Sequence, residues 1–452
     1  MGDGLVVHFV DTVNHHGALL EWNSFLSHPR HSSAGGVKDG FDVLVPVMAC
    51  VPTRMNGVAH TGDKADSRSV QLMFKQVFPA GGHNEDLLKI TSHARIVENY
   101  KKPAIIPIVF RAAREEKRAM TPSLQGNRIV FTGKQQLHLE AYQPDEPGEG
   151  TVCIRTVFSQ MSTGTENTVL SRNFAPGTHW DGWVKYPFYP GYAAVGMIES
   201  VGAGVTTLKP GDRVVWRGKH MAYELQPANA AFPIPSEIPW TEAVWYALAK
   251  IAFQGARAAQ YFLGDTVLII GAGPIGQMSI RWARAAGATS IIVVDPVADR
   301  MHFAERGGAT ATIVSPIEEA RDAVMAANGG VLPRVVIDTT GHWSVLPSAL
   351  SLADNFGTVV ILGDTGEPSK QVLTPDVIRR GLRVVGAHDA HNNDQWNNAS
   401  IASVFMTLVR QKRFDVSDLI THTFRPSQCE EAYATATRER SSTMGILFSW
   451  LE

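Results

Sequence analysis

Thr266-Val267-Leu268-Ile269-Ile270-Gly271-Ala272-Gly273-Pro274-Ile275-Gly276 is the stretch that decides the fold. A run rich in branched aliphatic residues feeds a G-x-G-x-x-G turn, and the turn opens into Gln277-Met278-Ser279-Ile280-Arg281-Trp282-Ala283-Arg284-Ala285-Ala286, a helical pattern ended by Gly287. Strand, turn and helix therefore follow in the order a dinucleotide site needs. Gly271 permits the tight turn, Gly273 lets the backbone approach a pyrophosphate without a Cβ in the way, and Gly276 lets helix pack on strand. Pro274 and Ile275 lie within the turn and are expected beside the coenzyme, and the free N–H groups and positive dipole end of the helix that follows face the phosphates.

A second apolar run, Ser290-Ile291-Ile292-Val293-Val294, ends in Asp295, 19 positions beyond Gly276. That is close to the spacing of an acid that hydrogen-bonds a ribose 2′-OH. An acid there repels a 2′-phosphate and favours NAD over NADP, with Arg300 as the nearby group that counts for NADP. Further strands fit Ala311-Thr312-Ile313-Val314, Arg334-Val335-Val336-Ile337-Asp338, Thr358-Val359-Val360-Ile361-Leu362-Gly363 and Arg383-Val384-Val385-Gly386, with helices near 317 to 327 and 344 to 353. Residues 264 to 387 thus predict six parallel strands covered on both faces. Thr340 and Gly363 lie at strand ends on the side where ligands of an open α/β sheet bind.

Between about 121 and 263 the pattern is different. Short alternating segments, such as Arg128-Ile129-Val130-Phe131, Gln136-Leu137-His138-Leu139-Glu140 and Thr151-Val152-Cys153-Ile154, are separated by Gly and Pro clusters and predict a compact β-barrel-like unit. Residues 1 to about 120 read as a small α/β unit. Leu5–Val10, Phe41–Val47 and Pro103–Val109 fit strands, while Ala18–Trp22, Asn84-Glu85-Asp86-Leu87-Leu88 and the charged run Arg114-Glu115-Glu116-Lys117 fit helices. Half of the 16 histidines fall in this unit, but none of their spacings matches a mechanistic metal motif.

Composition narrows the function classes. The chain has 452 residues, a formal net charge of -2 and no long run of one sign, so neither a nucleic-acid groove nor a polybasic membrane patch is expected. No apolar stretch reaches the length of a membrane span, and the start of the chain lacks a signal-like pattern, so a cytoplasmic protein is expected. Cys50, Cys153 and Cys429 are widely separated, which argues against a disulfide framework or a cysteine-rich zinc site.

A β-rich unit with Lys209-Pro210-Gly211-Asp212-Arg213-Val214-Val215, a helical bridge and a late dinucleotide unit together resemble the medium-chain dehydrogenase/reductase superfamily, the relatives of zinc alcohol dehydrogenases. The resemblance covers about residues 122 to 452. It implies a GroES-like catalytic domain (121–263 and 388–452) interrupted by a Rossmann doubly wound domain (264–387), with an active-site cleft between them. Asp418-Leu419-Ile420-Thr421-His422-Thr423-Phe424 and Glu430-Glu431-Ala432-Tyr433 look like the return to the catalytic domain.

Zinc members of the superfamily hold the metal with a Cys, a His and a third ligand on the bridging helix. The matching positions here carry Thr163, Tyr192 and, near the third, Ala247, and the four-cysteine structural lobe is absent. Neutral hydroxyls are poor substitutes for thiolate and imidazole around zinc, so no catalytic zinc is expected. Thr165 matches the hydroxyl that starts the relatives' proton relay, and Tyr192 sits where a ligand would face the nicotinamide. Lys250, His388 and His391 are further candidates, with Glu166 as an orienting carboxylate. Met161-Ser162-Thr163-Gly164-Thr165-Glu166 with Pro190-Gly191-Tyr192 looks like the branch that contains bacteriochlorophyllide a dehydrogenase.

That likeness implies oxidation of a secondary alcohol to a ketone with NAD. The alternatives are an NADPH-linked quinone or enoyl reductase, against which Asp295 counts, and a dinucleotide-binding sensor without turnover. A small-molecule substrate and a homo-oligomer are expected.

Overall fold

The computed structural model describes residues 124–451 and, as backbone, Asp42–Met48, Ser69–Pro79, Leu87–Val97 and Ile105–Ala113. The chain divides into two units after Pro122. In the first unit the four backbone segments are strands β1 to β4 in chain order, forming an antiparallel sheet ordered β1-β4-β3-β2. The helix expected to open at Asn84 is corrected here, because Leu87 and Leu88 begin the strand β3. The reason lies in the pattern beyond Leu88. Ile90, Ala94 and Ile96 alternate with Lys89, His93 and Arg95, a period of two, and β3 pairs with β2 from Leu87 opposite Pro79 to Val97 opposite Ser69. The expected elements at Leu5–Val10, Ala18–Trp22 and Arg114–Lys117 lie outside the described residues.

In the second unit, β5 (Gly126–Gly133) and β6 (Gln136–Tyr142) form a hairpin. A seven-stranded sheet is built from β7 (Thr151–Met161), β8 (Ala194–Val201), β9 (Arg213–Trp216), β10 (Tyr223–Pro227), β11 (Phe232–Pro233), β18 (Ile420–Phe424) and β19 (Gly445–Ser449). Two helices, α1 (Thr163–Ser171) and α2 (His179–Trp183), fill the connection between β7 and β8. Next come α3 (Trp240–Ala243) and α4 (Tyr246–Ala259), which is buried along most of its length because Ala247, Leu248, Ala249 and Ala252 are small or apolar enough to pack closely. Helix α4 carries the chain out of the first sheet and toward the second.

The second sheet has six parallel strands, β12 (Thr266–Ile270), β13 (Ser290–Asp295), β14 (Ala311–Val314), β15 (Val335–Asp338), β16 (Thr358–Ile361) and β17 (Arg383–Gly386), in the order β14-β13-β12-β15-β16-β17. The central strand β12 has Val267, Leu268, Ile269 and Ile270 buried on both faces, which is why it reads as a continuous apolar run. Each such side chain contributes about 1.5–3 kcal/mol on burial. Helices α5 (Pro274–Ala285), α6 (Met301–Gly307), α7 (Arg321–Ala327), α8 (Val345–Leu352) and α9 (Asp376–Arg379) connect these strands.

Beyond β17, α10 (Asn398–Arg410) shares one core with α4 and α5, through Ile401, Phe405 and Met406 beside Trp245, Phe253 and Trp282. The chain rejoins the first sheet at β18, and α11 (Cys429–Arg438) precedes the final strand β19. Among the described residues no helix is long and apolar enough to cross a membrane.

Candidate active site and coenzyme cradle

The glycine turn after β12 is shaped by close approach. Gly271 has φ +96, in the left-handed region that favours glycine, and a Cβ on Gly276 would lie 1.9 Å from the Gly271 carbonyl oxygen. A Cβ on Gly273 would meet only Arg300 Nη1 at 3.8 Å, so that glycine borders open space. Gly273 caps α5 and Pro274 takes its first position, where its missing N–H costs nothing. The Thr339 hydroxyl donates to the Ile270 carbonyl at 2.8 Å and ties the ends of β12 and β15 together. Next to it, Thr340 gives both its N–H (2.8 Å) and its hydroxyl (2.7 Å) to Asp338 Oδ1. Burial pushes the Asp338 carboxyl up to about 6, with the Thr340 bonds opposing. Gly363 closes the rim, because a Cβ there would stand 2.8 Å from the Thr340 nitrogen.

Asp295 is the last residue of β13 and is buried. Its Oδ2 accepts from the Ala272 N–H in the glycine turn and its Oδ1 from the Val297 N–H, both at 2.8 Å. Arg300 Nη1 lies 3.4 Å from the same carboxylate, and Arg300 Nη2 donates to the Arg440 carbonyl at 2.7 Å. The acid and the base expected from sequence to weigh in opposite directions on coenzyme choice are thus in contact. The nine residues expected at the coenzyme are brought to one end of the parallel sheet, around the C-terminal ends of β12, β13, β15 and β16.

The candidate catalytic groups lie on the other sheet. Thr163 opens α1, and Glu166 in its first turn reaches back to accept the Ser162 N–H at 2.7 Å. The same carboxylate accepts from the Tyr433 hydroxyl through Oε2, which also lies 2.9 Å from His220 Nε2. His220 Nδ1 is 2.8 Å from Ser159 Oγ, and all four residues are buried. Glu166 therefore orients its surroundings within a closed polar cluster instead of facing a ligand. His220 and Tyr433 were not singled out from sequence. They reach Glu166 from 54 and 267 positions away, and no local pattern marks them.

Tyr192 donates to Ser162 Oγ, and the Thr165 hydroxyl is near enough to act on the phenol. Burial raises the phenol above its ordinary range, while these two hydroxyls and the charge of Arg217 pull it back. Arg217, the residue directly after β9, lies over the Tyr192 ring with its guanidinium carbon 4.5 Å from the centroid. Its Nη1 donates to the Ala247 carbonyl at 3.3 Å, and its Nη2 is 2.6 Å from Asp389 Oδ2. Lys250 of α4 is buried and pairs with Asp389 Oδ1 at 2.8 Å; desolvation lowers the ammonium and Asp389 raises it. Lys250 is thus committed to Asp389. His388 and His391 are exposed and contact each other, the His388 N–H lying 3.2 Å from His391 Nδ1. Arg217 and Asp389 were missed from sequence. The only hint of Asp389 was its place between the two histidines.

The zinc fit can be judged on chemistry. Thr163, Tyr192 and Ala247 offer one aliphatic hydroxyl, one phenol and one methyl, and a guanidinium lies against two of the three. A divalent cation at this place would meet no thiolate, imidazole or carboxylate from those positions and a positive charge beside them, so the donor set does not fit zinc.

Comparison with known proteins agrees with this layout. A family model described as an alcohol dehydrogenase GroES-like domain matches residues 148–231, and one described as a zinc-binding dehydrogenase matches residues 274–403. Sorbitol dehydrogenase of Gallus gallus is 24% identical over 352 residues, covering 71% of this chain and 95% of that protein. A protein of Sinorhizobium meliloti described as a zinc-binding dehydrogenase, bound to NADP, superposes with a TM-score of 0.62 at 22% identity, covering 72% of this chain and 99% of its own. A short chain alcohol dehydrogenase of E. coli complexed with NADH gives a TM-score of 0.60 at 22% identity over the same shares. These likenesses show the fold.

Proposed function

We propose that the chain is a medium-chain dehydrogenase/reductase that interconverts a secondary alcohol and a ketone without a catalytic zinc, a reading supported by its matches to alcohol dehydrogenase GroES-like and zinc-binding dehydrogenase domains. The observation that carries this reading is the hydroxyl cluster of Tyr192, Ser162 and Thr165, which occupies the place where the zinc donor set is missing. The cluster adjoins the coenzyme sheet through a continuous chain of contacts. Tyr192 lies under Arg217, Arg217 pairs with Asp389, and Asp389 follows β17.

The coenzyme is a nicotinamide dinucleotide, for which the glycine turn, Asp295, Thr340 and Gly363 form the cradle. Once bound it supplies an acceptor for the hydride that leaves the carbinol carbon, while the carbinol oxygen gives up a proton and C=O forms. NAD is favoured over NADP because the buried Asp295 carboxylate would repel a 2′-phosphate.

This chain's own residues hold the substrate oxygen and take its proton. Tyr192 Oη already donates to Ser162 Oγ, so its lone pairs are the part of the phenol that can accept the substrate O–H. As the phenol takes that proton it passes its own to Ser162 Oγ, and the nearby Thr165 hydroxyl belongs to the same relay, through which the proton leaves to solvent. The buried Glu166–His220–Tyr433 cluster fixes the Ser162 backbone from behind. Purified protein assayed with NAD against secondary alcohols and polyols, alongside metal analysis, tests the reading. Turnover with far less than one zinc per chain is expected. One tightly held zinc whose removal abolishes turnover would overturn the metal-free site.

A further inference from the structure

We propose that the Arg217 guanidinium is the cation that receives the substrate oxygen, standing where zinc relatives keep their metal. Two of its three contacts are to the Tyr192 ring, at a position matched to a lost zinc ligand, and to the backbone carbonyl of Ala247, near the position of another. The third, Asp389, anchors it from the coenzyme-sheet side. A guanidinium has five N–H donors in a planar fork, and the contacts to Ala247 and Asp389 engage only part of that fork among the described residues.

The charges around it do not cancel. Arg217 and Lys250 are two cations that share the single carboxylate of Asp389, which leaves one positive charge in the cluster. The Lys250 side chain is 3% exposed and that of Arg217 is 26% exposed, so of the two cations Arg217 is the one a ligand can approach. An oxygen taking on negative charge beside Tyr192 would be stabilised there.

The base of Arg217 is also held rigidly, as a preorganised electrostatic group must be. Trp216 before it is fully buried, and its Nε1 donates to Glu224 Oε2 at 2.8 Å. That oxygen also accepts the Lys219 N–H at 3.0 Å, and a Cβ on Gly218 would lie 2.3 Å from Trp216 Nε1. The turn carrying Arg217 is therefore pinned on both sides. Asp389 and Lys250 act as positioning residues that aim it.

The inference rests on the dehydrogenase reading only for the nature of the ligand, an alcohol and ketone pair. Acetate, a C–O oxyanion with no hydride to give, separates the two ideas. Acetate binding to the full chain saturated with NAD is measured by calorimetry for the wild type, Arg217→Met and Arg217→Lys, beside NAD-linked turnover of the best secondary alcohol. Arg217→Met is expected to weaken acetate at least ~10-fold and to lower kcat by ~100-fold, with Arg217→Lys recovering part of both because it keeps the charge but not the fork. Acetate binding equal in wild type and Arg217→Met, or absent from the wild type, overturns the inference and leaves the dehydrogenase reading standing. Acetate binding that follows Arg217 in a protein that turns over no alcohol supports the inference and overturns the dehydrogenase reading.

Discussion

Glu166 and His220, 54 positions apart in the chain, meet at 2.9 Å in a site where neither side chain has more than 2% of its surface exposed. Tyr433 completes the arrangement from α11, so three segments that the chain visits far apart are joined by one carboxylate.

Glu166→Ala should therefore be costly. It strands the His220 ring and the Tyr433 hydroxyl without their buried acceptor, and a loss of about 3 kcal/mol is expected. Urea unfolding checks this. A loss below about 0.5 kcal/mol, the range of a neutral surface change, would show that the cluster does not hold the region together.

Tyr192→Phe removes one hydroxyl and leaves the ring beneath Arg217. Turnover should fall by about 100-fold, as for loss of a preorganised hydrogen-bonding group at a developing charge, while the dissociation constant of NAD is unchanged. Stopped-flow single turnover together with NAD titration separates the two quantities. Wild-type kcat in the Phe variant would remove Tyr192 from the chemistry.

Asp295→Ser should weaken NAD more than NADP, moving their ratio of dissociation constants at least ~10-fold. The structure adds a reason, because the substitution also releases Arg300 Nη1 from a carboxylate 3.4 Å away. An unchanged ratio in calorimetric titrations would refute the ribose role.

Asp338 gives the stability a pH dependence of known sign. Its carboxyl lies at about 6 in the folded protein against an ordinary 3.8, chiefly because of burial. The folded state therefore binds a proton more readily than the unfolded chain between those values. The associated stability is complete below pH 3.8, falls as pH rises through about 6, and is level above. The difference amounts to roughly 3 kcal/mol. Asp338→Asn keeps an acceptor for Thr340 and abolishes the ionisation, so it should gain on the wild type by about that much between pH 4 and pH 7 in urea unfolding. Parallel profiles would contradict the burial of a charged group there.

What the sequence disclosed depended on how local each signal was. The six parallel strands were legible because strands covered on both faces must be apolar throughout, as Val267–Ile270 and Ile291–Val294 are. The glycine turn was legible because its steric demands fall on neighbouring residues. Strand β3 was misread because the Asn84-Glu85-Asp86 prelude resembles a helix cap and drew attention from the alternation after Leu88. In the candidate site, Tyr192 and Thr165 were found through a matched motif. Arg217, Asp389 and His220 were not, since each owes its place to contacts with residues on other elements. Lys250 was named only as a further catalytic candidate, and its partner Asp389 lies 139 positions away.

Arg300 ties its second nitrogen to the Arg440 carbonyl, 140 positions further on. Arg300 is thus held between the Asp295 carboxylate and a turn far along the chain, so a change in that distant turn would be felt in the coenzyme cradle through a single side chain.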